Sequence, residues 1–483
     1  VKTALIGLAL ALGLSPAVAG DRPATSGRAA ELTPAAVDAY LTRALDETGL
    51  PGLSAVVTRG DRVVHAAGYG HDSDGRPVTA DTPMRIASVS KSFTAMAVMT
   101  LVDKGTVALD DPVAEHLPEV RLADPRAGRI TVRHLLNQTS GLSDTTTDIG
   151  ALEDATSLRD YVGRLGATTL RADPGTRWEY CNVNYNLAAR LVEVVSGRSF
   201  GDYLRERVFG PLGMRSSAVS DREVRPADGY NSVFGLWRPR PELPAFRDGG
   251  GSGGVVTTAA DMGRWLITQT GNGRRLVRPE SLAVMHAPSE VHAYGMGWGI
   301  DDETKRLTHS GNLFTYTAVQ VIVPETGYGF AVMTNSAALH DDTFDIATGL
   351  AELSEGRTPE APGGGRQLFE LALGAVTLGA AGLGILGVLR SRRWAARRAG
   401  RPRWRAGARL VPVLLPVGVL AAYPDLLSFL MNGRTVTWEQ LTYFPAPMTI
   451  TVAVAAAAGA LTTGFRVAGL LRGRGTREAG ARR

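Results

Sequence analysis

The chain of 483 residues holds a single cysteine, Cys181, so no intrachain disulfide is available. Stability must come from a buried core, which roughly 325 residues of globular sequence can supply. Lysine is nearly as scarce: Lys2, Lys91, Lys104 and Lys305 stand against 48 arginines. The eight histidines include no HExxH pattern or other ligand spacing, so the sequence calls for no metal and no cofactor. Residues 366–483 carry 17 Lys and Arg against 4 Asp and Glu, so the overall net charge of +5 leaves −8 for residues 1–365. The basic balance is therefore a property of the C-terminal quarter, and nucleic acid is not an expected partner.

That quarter is also where long apolar runs occur. Residues 368–389 contain one charge (Glu370), 410–431 one (Asp425) and 448–465 none. Each run is about long enough to cross hydrocarbon. Transmembrane helices are expected at 368–389, 410–431 and 447–467, with Asp425, beside Pro424, read as an interfacial residue. The loop 390–409 carries nine arginines and the tail 468–483 is arginine-rich as well. By the positive-inside rule both are cytoplasmic, which puts everything before residue 368 outside. The N-terminus agrees: Lys2, an apolar stretch 4–14 too short to span, Pro16, then the small-x-small pattern Ala17-Val18-Ala19. The reading is a signal peptide at 1–19, a linker at 20–30, an extracytoplasmic domain at 31–355 and a Pro/Gly-rich linker at 356–367.

Within that domain, Ser88-Val89-Ser90-Lys91 sets a hydroxyl and an amine three residues apart. On a helix, i and i+3 share a face. A serine hydroxyl is a weak nucleophile until a base takes its proton, and a desolvated lysine can be that base. Phe93, Met96, Ala97, Met99, Thr100 and Leu101 predict a helix apolar on most faces, hence buried, stopping at Gly105. Ser88 would lie near its N-terminus, where the helix dipole favours developing negative charge. Residues 53–58 and 63–67 predict a hairpin around Arg59-Gly60-Asp61-Arg62, and 318–323 with 329–335 predict another late in the domain. Strands at both ends and helices between imply an α/β (α+β) fold: one mixed or antiparallel sheet built from both termini, flanked by helices, with a helical insertion.

Two more motifs follow: Tyr180-Cys181-Asn182 at the start of a helix, and His309-Ser310-Gly311 before the residue-318 strand. With Ser-x-x-Lys these make the chain resemble the serine beta-lactamase and penicillin-binding protein superfamily, in its class C beta-lactamase, D-alanyl-D-alanine carboxypeptidase and esterase branch. The segments LLNQTSGL (135–142), PLGM (211–214) and GGVVTTAAD (253–261) extend the resemblance over roughly 31–355. It implies Ser88 as the nucleophile that forms an acyl-enzyme and Lys91 as its base or proton relay. It implies Tyr180, its phenol acidified by nearby cations, as general acid/base, and Asn182 as the residue that positions Lys91 and the substrate amide. The oxyanion hole would be the N–H groups of Ser88 and Asn312, with His309, Ser310 and Gly311 lining the substrate. His309 stands where most beta-lactamases carry lysine, which fits the carboxypeptidase, aminopeptidase and esterase members better.

Other features invite readings that fit less well. Gly250-Gly251-Ser252-Gly253-Gly254 matches the G-x-S-x-G elbow, but residues 244–248 are not the apolar strand that motif needs. Cys181 reads as a small buried residue. His134, His286 and His292 read as structural or exposed, and Trp237–Pro241 as either a surface crossing or a cleft wall. The expected function is a membrane-tethered extracytoplasmic serine hydrolase. Its partners would be the cell membrane and a small-molecule or peptide substrate: an acyl-D-amino acid of D-Ala-D-Ala type, an ester or a beta-lactam. A non-catalytic sensor of cell-wall fragments is the alternative of another class, disfavoured because a binding module would not need Ser88, Lys91, Tyr180 and Asn182 together.

Overall fold

The computed structural model describes residues 31–481 apart from 244–245, 247–248, 360–361, 399, 401 and 432–434. The expected signal peptide and first linker lie outside the described residues. The chain divides into two compact units. One runs to Asn231 and resumes over Arg238–Gly364; the other joins Ser232–Trp237 to Gly365–Arg483.

The first unit opens with helix α1 (Pro34–Thr48), whose ends are written in its sequence. Thr33 caps it by accepting the Ala36 N–H, Pro34 occupies its first turn, and Gly49 ends it at φ 61°. Strands β1 (Gly52–Arg59) and β2 (Arg62–Gly70) form the expected hairpin around Gly60. They join β7 (Gly299–Ile300), β8 (Leu307–Asn312), β9 (Thr317–Val323) and β10 (Tyr328–Thr334) in a six-stranded sheet of order β2-β1-β10-β9-β8-β7. The strands between, β3 (Met84–Arg85), β4 (Gly229–Val233), β5 (Leu236–Arg240) and β6 (Val256–Thr257), lie outside this sheet. All five pairings are antiparallel, and β1 meets β10 with Leu53 opposite Thr334 and Arg59 opposite Tyr328. The sheet therefore takes strands from both ends of the domain, as the sequence predicts.

Both faces of the sheet are covered, and β9 shows how. Successive side chains of a strand point to opposite faces. Thr317 bonds Thr343 of the helix Asp342–Ser354, Oγ1 to Oγ1 at 2.5 Å. Gln320, on the other face, accepts from Trp265 Nε1 at 3.1 Å and donates to Ser92 Oγ at 3.0 Å. Ser92 belongs to helix α2 (Ser90–Asp103), and Trp265 to the helix Ala259–Gln269. Phe93 of α2 stacks on Trp265 with centroids 3.8 Å apart. Helix α2 is thus pinned against the sheet by apolar stacking and a buried amide, and twelve of its fourteen residues are buried. The helical insertion includes α3 (Asn182–Ser196), which packs against α2.

In the second unit, the helices Gly365–Leu389 and Ala446–Arg472 are each long and apolar enough to cross a membrane. The expected single span at 410–431 is instead two helices, Val411–Ala421 and Tyr423–Leu430, bent by 65°. Pro424 explains the break. It has no N–H to give the preceding turn, so it interrupts a continuous helix while suiting the first turn of a new one. The pair is a broken span or a re-entrant loop, so the candidate spans among the described residues number two or, with the bent pair, three. The unit packs through small residues: a Cβ on Gly384 would sit 2.5 Å from Ala458 Cβ, and one on Gly459 2.1 Å from the Val413 carbonyl oxygen. The charge at Glu370 is buried: Oε2 accepts from Ser232 Oγ and from the Gly235 N–H, each at 2.7 Å. Trp237, for which surface crossing and cleft wall were both open, lies under the Arg366 guanidinium at 4.4 Å.

Candidate active site

Ser88 sits in a 3-10 turn, Ala87–Val89, that leads directly into α2. Ala87 holds φ 49°, a left-handed conformation costly for a residue with a Cβ. The strained turn lifts Ser88 out of the otherwise buried stretch Met84–Ser92, where it alone is half-exposed.

Lys91, one helical turn on, is fully buried. Its ammonium has three protons and the structure supplies three acceptors: Ser88 Oγ at 2.9 Å, Asn182 Oδ1 at 2.9 Å and the Ser252 carbonyl at 2.7 Å. The Tyr180 hydroxyl reaches Ser88 Oγ from another direction at 2.7 Å. Lys91 Nζ also lies 4.8 Å from the centre of the Tyr180 ring and 5.7 Å from that of Tyr185. Ser88 Oγ therefore stands between two groups, either of which can take its proton when deprotonated and return it later.

Asn182 is the first residue of α3, and Cys181 is its N-cap. Their placement depends on Gln138, in the loop of the LLNQTSGL segment, which holds φ 61° and is buried. Its Oε1 accepts from Cys181 N at 3.1 Å and Asn184 Nδ2 at 2.6 Å, and its carbonyl accepts from Glu179 N at 2.9 Å. Gln138 thus grips the segment carrying Tyr180 and Asn182 on both sides. The sequence reading missed this function, although the segment containing Gln138 had drawn attention. Cys181 is buried, with its thiol donating to Asp144 Oδ1 at 3.3 Å and its pKa raised by burial, a setting that disfavours the reactive thiolate.

The third motif lies on β8. A Cβ on Gly311 would fall 2.2 Å from the Ile86 carbonyl oxygen and 2.8 Å from Ser88 N, so only glycine lets this strand approach the turn that bears Ser88. Asn312, at the end of the strand, is exposed; with its amide nitrogen turned toward Asp341, it lies 3.2 Å from Oδ2. Ser310 is half-buried, and its carbonyl accepts from His309 Nδ1 at 2.7 Å. A carbonyl accepts only from N–H, so the network assigns the proton to Nδ1 and leaves Nε2 to accept from Tyr294 Oη at 3.0 Å. Burial, reinforced by the Lys91 charge, holds the His309 imidazole down at about 3. His309 is therefore neutral at pH 7 with both ring nitrogens engaged. Trp178, Tyr180, Tyr294 and His292 extend an aromatic wall from it, with Trp178 stacked on His292 at 4.2 Å.

Ser252, set aside as a nucleophile, enters the site through its backbone. Its carbonyl is the third Lys91 acceptor, and its N–H donates to Asn186 Oδ1 at 3.1 Å. The Gly-rich run lies along α2, where Thr94 Oγ1 donates to the Gly251 carbonyl at 2.7 Å.

Lys91, Tyr180, Asn182 and the β8 strand, scattered over more than two hundred residues, thus gather around Ser88. A sequence profile described as "Beta-lactamase" matches residues 37–354, which contain all of them. The chain belongs to the beta-lactamase family. Among curated proteins it is 32% identical over 347 residues to "Penicillin-binding protein 4" of Amycolatopsis lactamdurans, covering 65% of this chain and 88% of that one. Among solved structures this beta-lactamase-family chain resembles the octameric penicillin-binding protein homologue of Pyrococcus abyssi, with TM-score 0.57, 27% identity, and 68% and 78% of the two chains covered. It also resembles the D-amino acid amidase of Ochrobactrum anthropi SV3, with TM-score 0.53, 26% identity, and 67% and 95% covered. Its fold is that family's sheet and helices, and its coarse activity class is that of these serine hydrolases.

Proposed function

We propose that the protein is a membrane-tethered, extracytoplasmic hydrolase that cleaves amide bonds of D-amino-acid peptides, of the D-alanyl-D-alanine carboxypeptidase type, through an acyl group on Ser88. The observation that carries this reading is the double approach to Ser88 Oγ, Lys91 Nζ at 2.9 Å and Tyr180 Oη at 2.7 Å. In the first half-reaction Ser88 Oγ bonds to the substrate carbonyl carbon while its proton passes to the deprotonated neighbour. Breaking the C–N bond then requires a proton on the leaving nitrogen, which Tyr180 supplies. In the second half, water adds to the acyl carbon, gives its proton back through the same pair, and releases Ser88. Asn182 and the Ser252 carbonyl hold Lys91 in line throughout.

The likeness to a D-amino acid amidase and to penicillin-binding proteins supports an amide of a D-residue as substrate. The arginine-rich stretches after the first and last apolar helices support the outside location. A second reading, esterase, is favoured by the neutral, fully engaged His309, which offers no cation to a substrate carboxylate. Turnover measured side by side on acyl-D-Ala-D-Ala, a D-amino-acid amide and a p-nitrophenyl ester decides between them. Amide or peptide turnover at least as efficient as ester turnover upholds the proposal. Ester turnover alone replaces it with the second reading, and tight binding without turnover would favour the sensor.

A further inference from the structure

Strand β8 is joined to β9 by a four-residue loop, Leu313–Tyr316, closed by the Leu313 N–H donating to the Tyr316 carbonyl at 2.9 Å. At its tip two consecutive backbone amides, of Phe314 and Thr315, turn toward the same side. Both donate to one carboxylate, Glu242: Phe314 N to Oε1 at 2.9 Å and Thr315 N to Oε2 at 3.0 Å, with Thr315 Oγ1 on Oε2 at 2.5 Å. Glu242 is 8% exposed and lies 72 residues before Phe314. From the other side the Asn231 amide donates to the Phe314 carbonyl at 2.6 Å, and the Tyr316 hydroxyl donates to the Ala227 carbonyl at 2.7 Å. A Cβ on Gly229 would meet the Thr315 carbonyl at 2.2 Å, so Ala227, Gly229 and Asn231 also lie against the loop.

The loop begins immediately after Asn312, and β8 is in contact with the Ser88 turn through Gly311. We infer that Glu242 is a positioning residue for the acyl-transfer site: by filling the paired amides of the 313–316 loop it fixes how closely the end of β8, and so the Asn312 N–H, stands to Ser88. A carboxylate suits this task, since it accepts on both oxygens at once, whereas a neutral amide would turn an N–H toward one of the two backbone donors. Glu242 touches no reacting atom. Its effect falls on the step in which negative charge grows on the substrate oxygen, where small displacements of the donor weigh most. The inference rests on the acyl-Ser88 reading.

The test uses the full chain in detergent, with Glu242→Gln and the shorter-reaching Glu242→Asp. The expected result for Glu242→Gln is a kcat lowered about 10- to 100-fold with KM within about twofold, the signature of a displaced transition-state donor. Affinity for an acylamido boronic acid, whose adduct on Ser88 carries a tetrahedral centre, should fall by a comparable factor. Glu242→Asp should fall between Glu242→Gln and wild type. Unchanged kcat and boronate affinity in a folded Glu242→Gln protein would overturn the inference, as would a loss of active fraction with kcat per labelled site intact. Should Glu242→Gln not fold, Glu242→Asp is read by the same two criteria. A wild-type chain that a fluorophosphonate fails to label at Ser88 would overturn the acyl-serine reading itself, which separates that failure from this one.

Discussion

Tyr294 Oη donates to His309 Nε2 at 3.0 Å while His309 Nδ1 is held by the carbonyl of the next residue, so the third motif's only ionisable side chain is locked as a neutral ring. Its pKa is held at about 3, chiefly by burial and then by the Lys91 charge. A side chain in this state serves the site by shape and hydrogen bonding, and it does not titrate in the range where the enzyme would work.

The lock has a consequence for stability. The imidazole is neutral in the folded chain down to about 3, whereas in the unfolded chain it takes a proton near ~6.5. Its contribution is complete above ~6.5 and is lost as pH falls toward the folded value, because the unfolded state then binds the extra proton. Several other groups titrate over the same interval, among them His286, lowered to about 4 by burial, and Asp341, raised to about 6 by burial. The informative quantity is therefore a difference. Between pH 6 and 4, His309→Gln should remove about 1.4 kcal/mol per pH unit from the pH dependence of unfolding free energy. Denaturant titrations of both proteins across that interval measure it; parallel curves would show that His309 is not held neutral.

Tyr180→Phe removes the hydroxyl 2.7 Å from Ser88 Oγ and leaves the ring near Lys91. The expected outcome is a drop in kcat/KM of about 10² to 10⁴, the usual range for a general acid/base, with folding unaffected. Steady-state kinetics on an amide substrate checks this, and a loss below about threefold would assign the proton transfers to Lys91 alone.

Gln138→Ala deletes the acceptor shared by Cys181 N and Asn184 Nδ2, leaving two buried donors without it. Unfolding free energy should fall by about 1–3 kcal/mol. Because the segment bearing Tyr180 and Asn182 loses its grip, kcat should fall as well, by about tenfold or more. Thermal unfolding together with kcat per labelled site separates the two effects; a stability loss with unchanged kcat would confine Gln138 to a structural role.

What could be read from the sequence follows a physical division. Ser88 and Lys91 were legible because the helical repeat alone brings i and i+3 together. The hairpins were legible because alternation and a Gly turn specify them locally, and the ends of the observed strands fall within about three residues of the expected ones. Tyr180, Asn182 and Gly311 were recognised by resemblance, and the folded chain sets Tyr180 on Ser88 Oγ, Asn182 on Lys91 and Gly311 against the Ser88 backbone. Ser252 was set aside as a nucleophile because no apolar strand precedes it, yet its carbonyl holds Lys91 across 161 residues, a task any residue type could perform. Gln138, Tyr294 and Glu242 act through hydrogen bonds to residues distant in the sequence, which leave no periodicity or spacing to detect. The bend after Ala421 escaped because 410–431 is apolar but for Asp425 and long enough to span, and the Pro424 signal was overridden by length.

The central claim is that Ser88 accepts an acyl or phosphonyl group because Lys91 and Tyr180 activate it. The most direct measurement is intact-mass and peptide mass spectrometry of the full chain after exposure to a fluorophosphonate, with Ser88→Ala alongside. The account predicts one stoichiometric adduct, mapped to Ser88 and absent from Ser88→Ala. An adduct that persists in Ser88→Ala, or a wild-type chain that stays unmodified, would contradict it.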